Sequence, residues 1–352
     1  MFRTAIFIFL LNLLAACSAS TNLNTSQDHN ITSPIEEPIL LSFAGDTMMA
    51  GRVADIVAEK GPDYPFTDSA PFFHQSDIVM LNVETAISEK GTELEKQYTF
   101  RSEPDMARAL KRAGVDVVTI ANNHALDFGQ QAFLDTINHL DQAEIKVVGG
   151  GANQEEAYAS EIVEVKGKTI QFFGFSRVLA RADWHAGVQH PGMASAYDPE
   201  LVYRHVDPAT SKSDYTVVYL HWGEELADDP LPYQVELAHG LIDRGVDLVI
   251  GSHPHVLQGM EWYKGKLIAY SLGNFIFTTS RTEIPRQSGI LQVSLQDEKI
   301  VPHFVPMYIH LGAVWLANDK QSEMIMDRLQ QLSRQGKWNE ERIFEPVAAE
   351  NG

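Results

Sequence analysis

The chain has 352 residues, with 47 acidic side chains against 27 basic ones, a formal net charge of -20, and a single cysteine, Cys17. One cysteine excludes a disulfide framework and any zinc site built from several thiolates. The negative charge argues against nucleic acid as a partner, because phosphates require a basic surface. A hydrophobic content of 44% is typical of a globular protein rather than a disordered one.

The first 16 residues have the pattern of a secretory signal. Arg3 is followed by the run 4–14, which is almost wholly apolar but shorter than the roughly 20 residues of a membrane span. The run ends in Leu14-Ala15-Ala16-Cys17, which resembles a bacterial lipobox, in which the cysteine is lipidated and becomes the mature N-terminus. We therefore predict a lipoprotein signal peptide over 1–16; the alternative is a signal peptide or a buried helix that happens to carry a cysteine.

Residues 17–38 are predicted to form a flexible tether after lipidated Cys17. They are polar and include two prolines, so they offer too little apolar surface to pack. The expected partner of this end is a membrane, reached through the lipid anchor, and the expected location is the bacterial cell envelope. Ser18 directly after the cysteine favours the periplasm-facing outer membrane if the host is Gram-negative.

The rest of the chain, 39–352, shows neither a repeat nor a second linker and is predicted to be one domain. Its predicted strands and helices alternate, which indicates an α/β architecture with sheets buried on both faces. In chain order the predicted elements are strands at 39–44 and 78–83, a helix at 103–113, a strand at 115–121, a helix at 130–141, a strand at 146–149, a hairpin over 161–175, a strand at 215–221, a helix at 232–244, a strand at 247–251, a strand-rich segment over 266–308, and a helix at 320–334.

Polar side chains cluster where five of these strands end. The residues concerned are Asp46, Glu84, Asn123 with His124 and Asp127, His221, and His253 with His255. Each is common in turns or helix caps when it occurs alone. Because the carboxyl ends of parallel strands share one edge of a sheet, we expect the five segments to meet there. Carboxylate, amide and imidazole groups are suitable ligands for Mn²⁺, Fe²⁺ or Zn²⁺.

Taken together, these motifs resemble the CapA family of capsule or poly-γ-glutamate synthesis proteins. The residues that carry the resemblance, between about 39 and 277, are Ala44-Gly45-Asp46, Asn82-Val83-Glu84, Phe100-Arg101-Ser102, Asn122-Asn123-His124, His221-Trp222-Gly223, Gly251-Ser252-His253-Pro254-His255 and Ser271-Leu272-Gly273-Asn274-Phe275. The resemblance implies a metallophosphatase-like fold, which is a four-layer αββα sandwich related to the calcineurin-like phosphoesterases. It also implies secretion or membrane anchoring.

The resemblance further implies two metal positions. Asp46, Glu84 and His255 would hold the first ion, and Asn123, His221 and His253 would hold the second, with Glu84 bridging the two. On the first strand, however, Met48 stands where the superfamily has a histidine, and a thioether is a poor ligand for these cations. We therefore expect one firmly bound ion and a second that is weak.

Two further pairs of residues have expected roles in the chemistry. The resemblance makes His124 the candidate general acid, oriented by Asp127. Arg101 and Arg52 could clamp an anionic oxygen of the substrate, although either could equally be a solvated surface charge. A bound metal would activate water at neutral pH or polarise a phosphoryl or acyl oxygen.

The leading functional hypothesis is a metal-dependent, phosphoesterase-like lipoprotein that makes or exports a surface polymer such as poly-γ-glutamate. Its substrate would be an anionic polymer or a phosphoester, and its partners would be other polymer synthesis proteins. The net charge does not favour tight binding of an extended polyanion. The alternatives are a non-catalytic envelope assembly factor that retains the fold and a general extracytoplasmic phosphatase or phosphodiesterase.

Overall fold

The computed structural model describes residues 37–210, 212–278, 282–296 and 299–347. The predicted signal peptide, most of the predicted tether and Cys17 lie outside these ranges. Residues from Glu36 onward form one unit. Within the described ranges no helix has the length and apolar character needed to cross a membrane.

Most strands of the described residues belong to two large sheets. They are β1 (Ile39–Thr47), β2 (Ile78–Val83), β3 (Val117–Thr119), β4 (Lys146–Val148), β5 (Glu161–Val165), β6 (Lys168–Ser176), β7 (Tyr215–His221), β8 (Leu248–Ser252), β9 (Met260–Tyr263), β10 (Lys266–Ala269), β11 (Asn274–Ile276), β12 (Gln287–Gln296), β13 (Lys299–His310) and β14 (Ala313–Leu316). Three small two-stranded pairs join Ala86–Ile87 to Arg101–Ser102, Gly150–Gly151 to Gly192–Met193, and Gly336–Trp338 to Phe344–Pro346.

Within the described ranges, six longer helices accompany the sheets. They are α1 (Arg52–Lys60), α2 (Asp105–Ala113), α3 (Gly129–Gln142), α4 (Pro199–Thr210), α5 (Pro232–Ile242) and α6 (Asp319–Leu332). Single turns of α-helix occur at Ala70–Phe73 and Gln154–Ala157, and 3₁₀ turns at Tyr64–Phe66, Ala182–Trp184 and Ile284–Arg286.

Each large sheet combines a parallel centre with antiparallel edge strands. The first sheet has the strand order β14-β13-β12-β1-β2-β3-β4, with β11 pairing in parallel with the end of β1. The second has the order β9-β10-β8-β7-β6-β5. In the first sheet β1 to β4 run parallel, and in the second β6, β7, β8 and β10 do. This explains the continuous apolar runs, because every residue of β2 and β7 is buried.

The two sheets pack face to face, and helices cover their outer faces. Phe43 of the first sheet and Phe172 of the second belong to one apolar cluster between the sheets. Across this layer the Tyr219 hydroxyl donates a hydrogen bond to the Ala44 carbonyl at 2.9 Å. Leu110 of α2 packs in the cluster outside the first sheet, and Leu237 of α5 packs outside the second. The layer order is therefore αββα, which confirms the predicted fold class.

Most predicted elements are present, with ends that differ by a few residues. The hairpin predicted over 161–175 is formed by β5 and β6, and its turn residues Lys166 and Gly167 have φ values of 49° and 77°. This left-handed backbone matches the twist of the strands it joins. The strand predicted over 115–121 is paired only over Val117–Thr119, because the chain beyond it turns towards the site described below.

The end of β1 is held by close contact between two backbone segments. The Asp46 amide donates to the Gly273 carbonyl at 2.9 Å, and Asp46 pairs in register with Asn274 of β11. A Cβ atom added to Gly45 would lie 1.9 Å from the Gly273 oxygen. Only glycine therefore allows β11 to approach β1 closely enough to hold Asp46 and Asn274 side by side.

The Gly45→Ala substitution is expected to destabilise the protein by at least about 1–3 kcal/mol, because backbone atoms must move to accept the new methyl group. It should also weaken metal binding, since Asp46 shifts with the strand. Chemical denaturation and metal analysis of the purified variant measure both effects. The control is Gly187→Ala, whose Cβ would lie 3.2 Å from its nearest neighbour, the His190 Cβ. Equal stability of the two variants would contradict this account of β1.

Candidate metal centre

Both sheets deliver polar side chains to one shared edge. Asp46 lies at the end of β1 and Glu84 directly follows β2, both in the first sheet. His221 ends β7, while His253 and His255 follow β8, in the second sheet. The carboxyl ends of the parallel strands of both sheets therefore converge, as expected for ligand sites in α/β folds.

The carboxylates and histidines form two groups that share one residue. Glu84, His221 and His253 make up one group, and Asp46, Glu84 and His255 make up the other. Within each group the candidate ligand atoms lie within 4.8 Å of one another. Glu84 belongs to both groups, which is the geometry that a bridging ligand requires, and its bridging role stays a prediction.

The polar atoms of this cluster are incompletely satisfied without a cation. Both carboxylate oxygens of Glu84 and the Nδ1 atom of His253 are buried and have no hydrogen-bond partner among the described residues. Burial, together with the charge of Asp46, raises the pKa of Glu84 well above its usual range. An uncompensated buried carboxylate is costly, and a divalent cation placed between these atoms would compensate it. The residues present therefore fit a divalent metal.

The histidines divide into two neutral rings and one charged ring. Burial lowers the pKa of His253 to about 3, with a further contribution from repulsion by His255. Burial also lowers the pKa of His221 well below its usual range. For His255 burial acts in the same direction, but attraction to Glu84 and Asp46 outweighs it and raises the pKa to about 10. Positive charge is thus favoured beside Asp46 and Glu84, where the first ion was predicted.

A second layer of amides orients the candidate ligands. Asn82 donates from Nδ2 to Asp46 Oδ1 at 2.7 Å. The side chain of Asn122 donates in turn from Nδ2 to Asn82 Oδ1 at 2.9 Å. His255 Nδ1 lies 2.9 Å from Asn274 Oδ1. A hydrogen bond from Nδ1 leaves Nε2 of His255 as the coordinating nitrogen, which is the usual way such partners fix a metal-binding histidine.

Asn123 and His124 extend the cluster towards solvent. Asn123 Oδ1 lies 2.8 Å from His221 Nε2, which places its amide at the second predicted metal position. His124 Nδ1 lies 2.7 Å from Asp127 Oδ2, as the sequence predicted for an oriented imidazole. Burial lowers the pKa of His124 even though the contact with Asp127 opposes this shift.

Lys96 completes this arrangement and was not identified from the sequence. Its ammonium group lies 2.7 Å from Asp127 Oδ1 and 3.2 Å from His124 Nδ1, and it also bonds the Asn123 carbonyl. The Phe100 amide donates to the other oxygen of Asp127 at 2.8 Å. Lys96 lies in an irregular segment rather than at a strand end, so the pattern that revealed the other residues carried no signal for it.

Comparison with known proteins assigns the chain to a family. The family model described as "Bacterial capsule synthesis protein PGA_cap" matches residues 40–279, which contain the whole cluster. The chain belongs to this capsule synthesis family. The resemblance predicted from the sequence is therefore confirmed.

Two relatives are similar to the chain over most of its length. It is 32% identical to "Capsule biosynthesis protein CapA" of Bacillus anthracis, over 79% of this chain and 69% of the relative. It is 33% identical to "PGA biosynthesis protein CapA" of Bacillus subtilis, over 74% of this chain and 69% of the relative. The sulfate thiohydrolase SoxB of Thermus thermophilus is 12% identical with a TM-score of 0.45, covering 83% of this chain and 60% of SoxB, a similarity too low to carry an argument.

Met48 departs from the ligand pattern expected for this capsule synthesis protein. Its side chain is buried and lines the same cavity as His124 and His255. The sulfur lies 3.2 Å from the Ala50 amide and accepts its hydrogen bond. The residue at the expected ligand position therefore contributes a thioether that is already engaged with the backbone.

The two arginines predicted to bind substrate lie on the surface. The Arg101 guanidinium is exposed and packs over the ring of Phe128 at 4.2 Å from its centroid. Arg52 is exposed at the first residue of α1. No hydrogen bond or ion pair of the described residues joins either arginine to the cluster, and their roles stay predictions.

The Met48→His substitution is expected to strengthen the weaker metal position of this family member, because an imidazole replaces a thioether that lines the same cavity as His255. Metal content during dialysis against a chelator measures this effect. Wild-type protein should lose one ion much faster than the other, and Met48→His should slow the fast loss. Met48→Leu is the control, since it removes sulfur without adding a ligand. Identical metal loss from both variants would contradict the expectation.

Proposed function

We propose that this protein is a metal-dependent hydrolase or transferase of the phosphoesterase type, acting in the synthesis or export of capsule or poly-γ-glutamate. The observation that carries the proposal is the buried Glu84 carboxylate, which is shared by two groups of candidate ligands and has no hydrogen-bond partner among the described residues. Strongly perturbed buried carboxylates of this kind cluster at functional sites, which supports a catalytic role. The capsule role is supported by the two Bacillus relatives, which are capsule and PGA biosynthesis proteins.

The proposed metal is Mn²⁺, Fe²⁺ or Zn²⁺, which all accept mixed oxygen and nitrogen ligands. Asp46, Glu84 and His255 would hold one ion, and Glu84, His221 and His253 would hold the other, with Asn123 at its edge. When bound, such ions supply Lewis acidity towards a phosphoryl or acyl oxygen.

The protein's own groups orient an imidazole beside the metal centre. Asp127 accepts a hydrogen bond from His124 Nδ1, so the other nitrogen, Nε2, is available to accept a proton and return it to the substrate. Lys96 and the Phe100 amide hold both oxygens of Asp127, which keeps the imidazole in one orientation. His124 lines the cavity together with His255, so this proton exchange would take place next to the proposed metal.

A double substitution tests the proposed chemistry. His253→Ala combined with Asn123→Ala removes two ligands of one ion, and we expect at least about a 100-fold loss of Mn²⁺-dependent turnover of a generic phosphodiester. The matched control is His185→Ala with Asn138→Ala, two exposed residues outside the cluster.

Both double variants are also tested for restoring surface polymer in a strain that lacks the gene. If the first variant is folded and restores polymer fully, the catalytic proposal is wrong and an assembly role is favoured. If the wild-type protein turns over the phosphodiester but its loss leaves polymer unchanged, a general phosphodiesterase is favoured.

We also propose that lipidated Cys17 and the tether through residue 38 anchor the protein at the cell envelope. Cys17→Ser removes the thiol that accepts the lipid, so the variant should move from the membrane fraction to the soluble extracytoplasmic fraction. Immunoblots of the fractions measure the shift. Ser18→Ala is the control and should stay with the membrane. Retention of Cys17→Ser in the membrane fraction would contradict lipid anchoring.

A further inference from the structure

A cavity of about 310 Å³ opens beside the metal cluster. Met48, Tyr98, Phe100 and Phe277 provide its apolar walls, and we call this space the aromatic hollow. His124 and His255 form the side that faces the cluster. The volume lies at the lower end of the range for small-molecule sites, roughly 300–1,000 Å³, so it suits a single side chain or a group of similar size rather than a length of polymer.

The aromatic rings of the hollow lie directly against the histidines. The Phe100 ring is 4.3 Å from the ring of His124, and the Phe277 ring is 4.9 Å from the ring of His255. The two phenylalanines meet edge to face at 6.2 Å. Tyr98 is 63% exposed and forms the outer wall. A substrate whose reacting bond lies at the cluster can therefore place its neighbouring group against these rings.

The outer rim of the hollow carries the negative charge of Glu225, whereas the charged His255 ring lies on the inner side, against the metal cluster. Glu225 is exposed and makes no hydrogen bond or ion pair with the described residues. None of the described lining residues is a lysine or an arginine. Lys96 lies close by, but its charge is paired with Asp127. Aromatic faces beside a free carboxylate attract cations and disfavour anions.

We propose that the aromatic hollow binds an apolar group that carries an ammonium, and that this group is the part of the substrate next to the reacting bond. The apolar part contacts Phe100 and Phe277, and the ammonium lies between the Tyr98 ring and Glu225. This inference rests on the proposed function, and it adds the class of group that the substrate presents to the protein. A run of free carboxylates is excluded from the hollow.

Three small probes of similar shape test the proposal by calorimetric titration into the metal-loaded, full-length protein. They are 2-phenylethylammonium, neutral 2-phenylethanol and 2-phenylethanesulfonate, whose sulfonate is a weak ligand for metals. We expect the ammonium probe to bind most tightly and the sulfonate most weakly. Glu225→Gln should reduce the preference for the ammonium probe about two- to fivefold, the range of an exposed ion pair or cation–π contact. Phe277→Ala should weaken all three probes.

The control variant is Glu224→Gln, which changes an exposed neighbouring carboxylate that does not line the hollow. It should leave the order of the probes unchanged, and thermal unfolding checks that each variant is folded. Equal binding of the ammonium and sulfonate probes to the wild-type protein would overturn the proposal. The statement that no lysine or arginine lines the hollow covers only the described residues, and Arg281 lies outside them. The Arg281→Gln variant is therefore included in the titrations. A preference for sulfonate that disappears in this variant would also overturn it.

The same samples separate this inference from the proposed function. Turnover of a generic phosphodiester without any preference for the ammonium probe would mean that the catalytic proposal stands and the hollow has another ligand. A clear preference for the ammonium probe without any metal-dependent turnover would mean that the hollow is assigned correctly and the catalytic proposal fails.

Discussion

The buried carboxylate of Glu84 is the constraint on which the rest of the site depends. It is fully buried beside a second buried carboxylate, Asp46, and it has no hydrogen-bond partner among the described residues. The nearest imidazoles are the neutral His221, with Nε2 at 3.6 Å, and the charged His255, with Nε2 at 4.0 Å. Such an arrangement is unfavourable unless a cation occupies the space between these atoms. The surrounding fold keeps the carboxylates in place, and the cation would supply the compensation.

Two facing sheets can place metal ligands on two sides of an ion, which a single sheet would not. Neighbouring strands of one sheet place their ends in a row, whereas here Asp46 and Glu84 approach from one sheet and His221 and His253 from the other. An ion between the layers can then be enclosed by ligands on two sides. The contact that sets the spacing is the Tyr219 hydroxyl on the Ala44 carbonyl, two residues before Asp46. Core packing between the sheets therefore determines ligand geometry directly.

The fold and the ligand cluster could be predicted from the sequence because both leave regular patterns. Polar residues such as Glu84 and His253 stand at the ends of apolar strands, and a strand end fixes where a side chain goes. Lys96 and the hollow could not be found in this way, since Tyr98 and Phe100 lie in an irregular segment whose path depends on tertiary contacts. For Arg101 the sequence predicted a role but not a position. The structure shows that its guanidinium packs on Phe128, and its role in substrate binding stays a prediction.

The charge of the whole chain and the charge of the site need to be considered separately. A formal net charge of -20 repels an anionic polymer at long range, but this field is screened within about 8–10 Å at physiological salt. At the cluster, bound divalent ions would outweigh Asp46 and Glu84 and favour an anionic reacting group. A few ångströms outward, Glu225 and the aromatic walls favour the opposite charge. A substrate that is anionic at the reacting bond and apolar with an ammonium beside it would satisfy both regions, whereas a uniformly anionic chain would satisfy only the first.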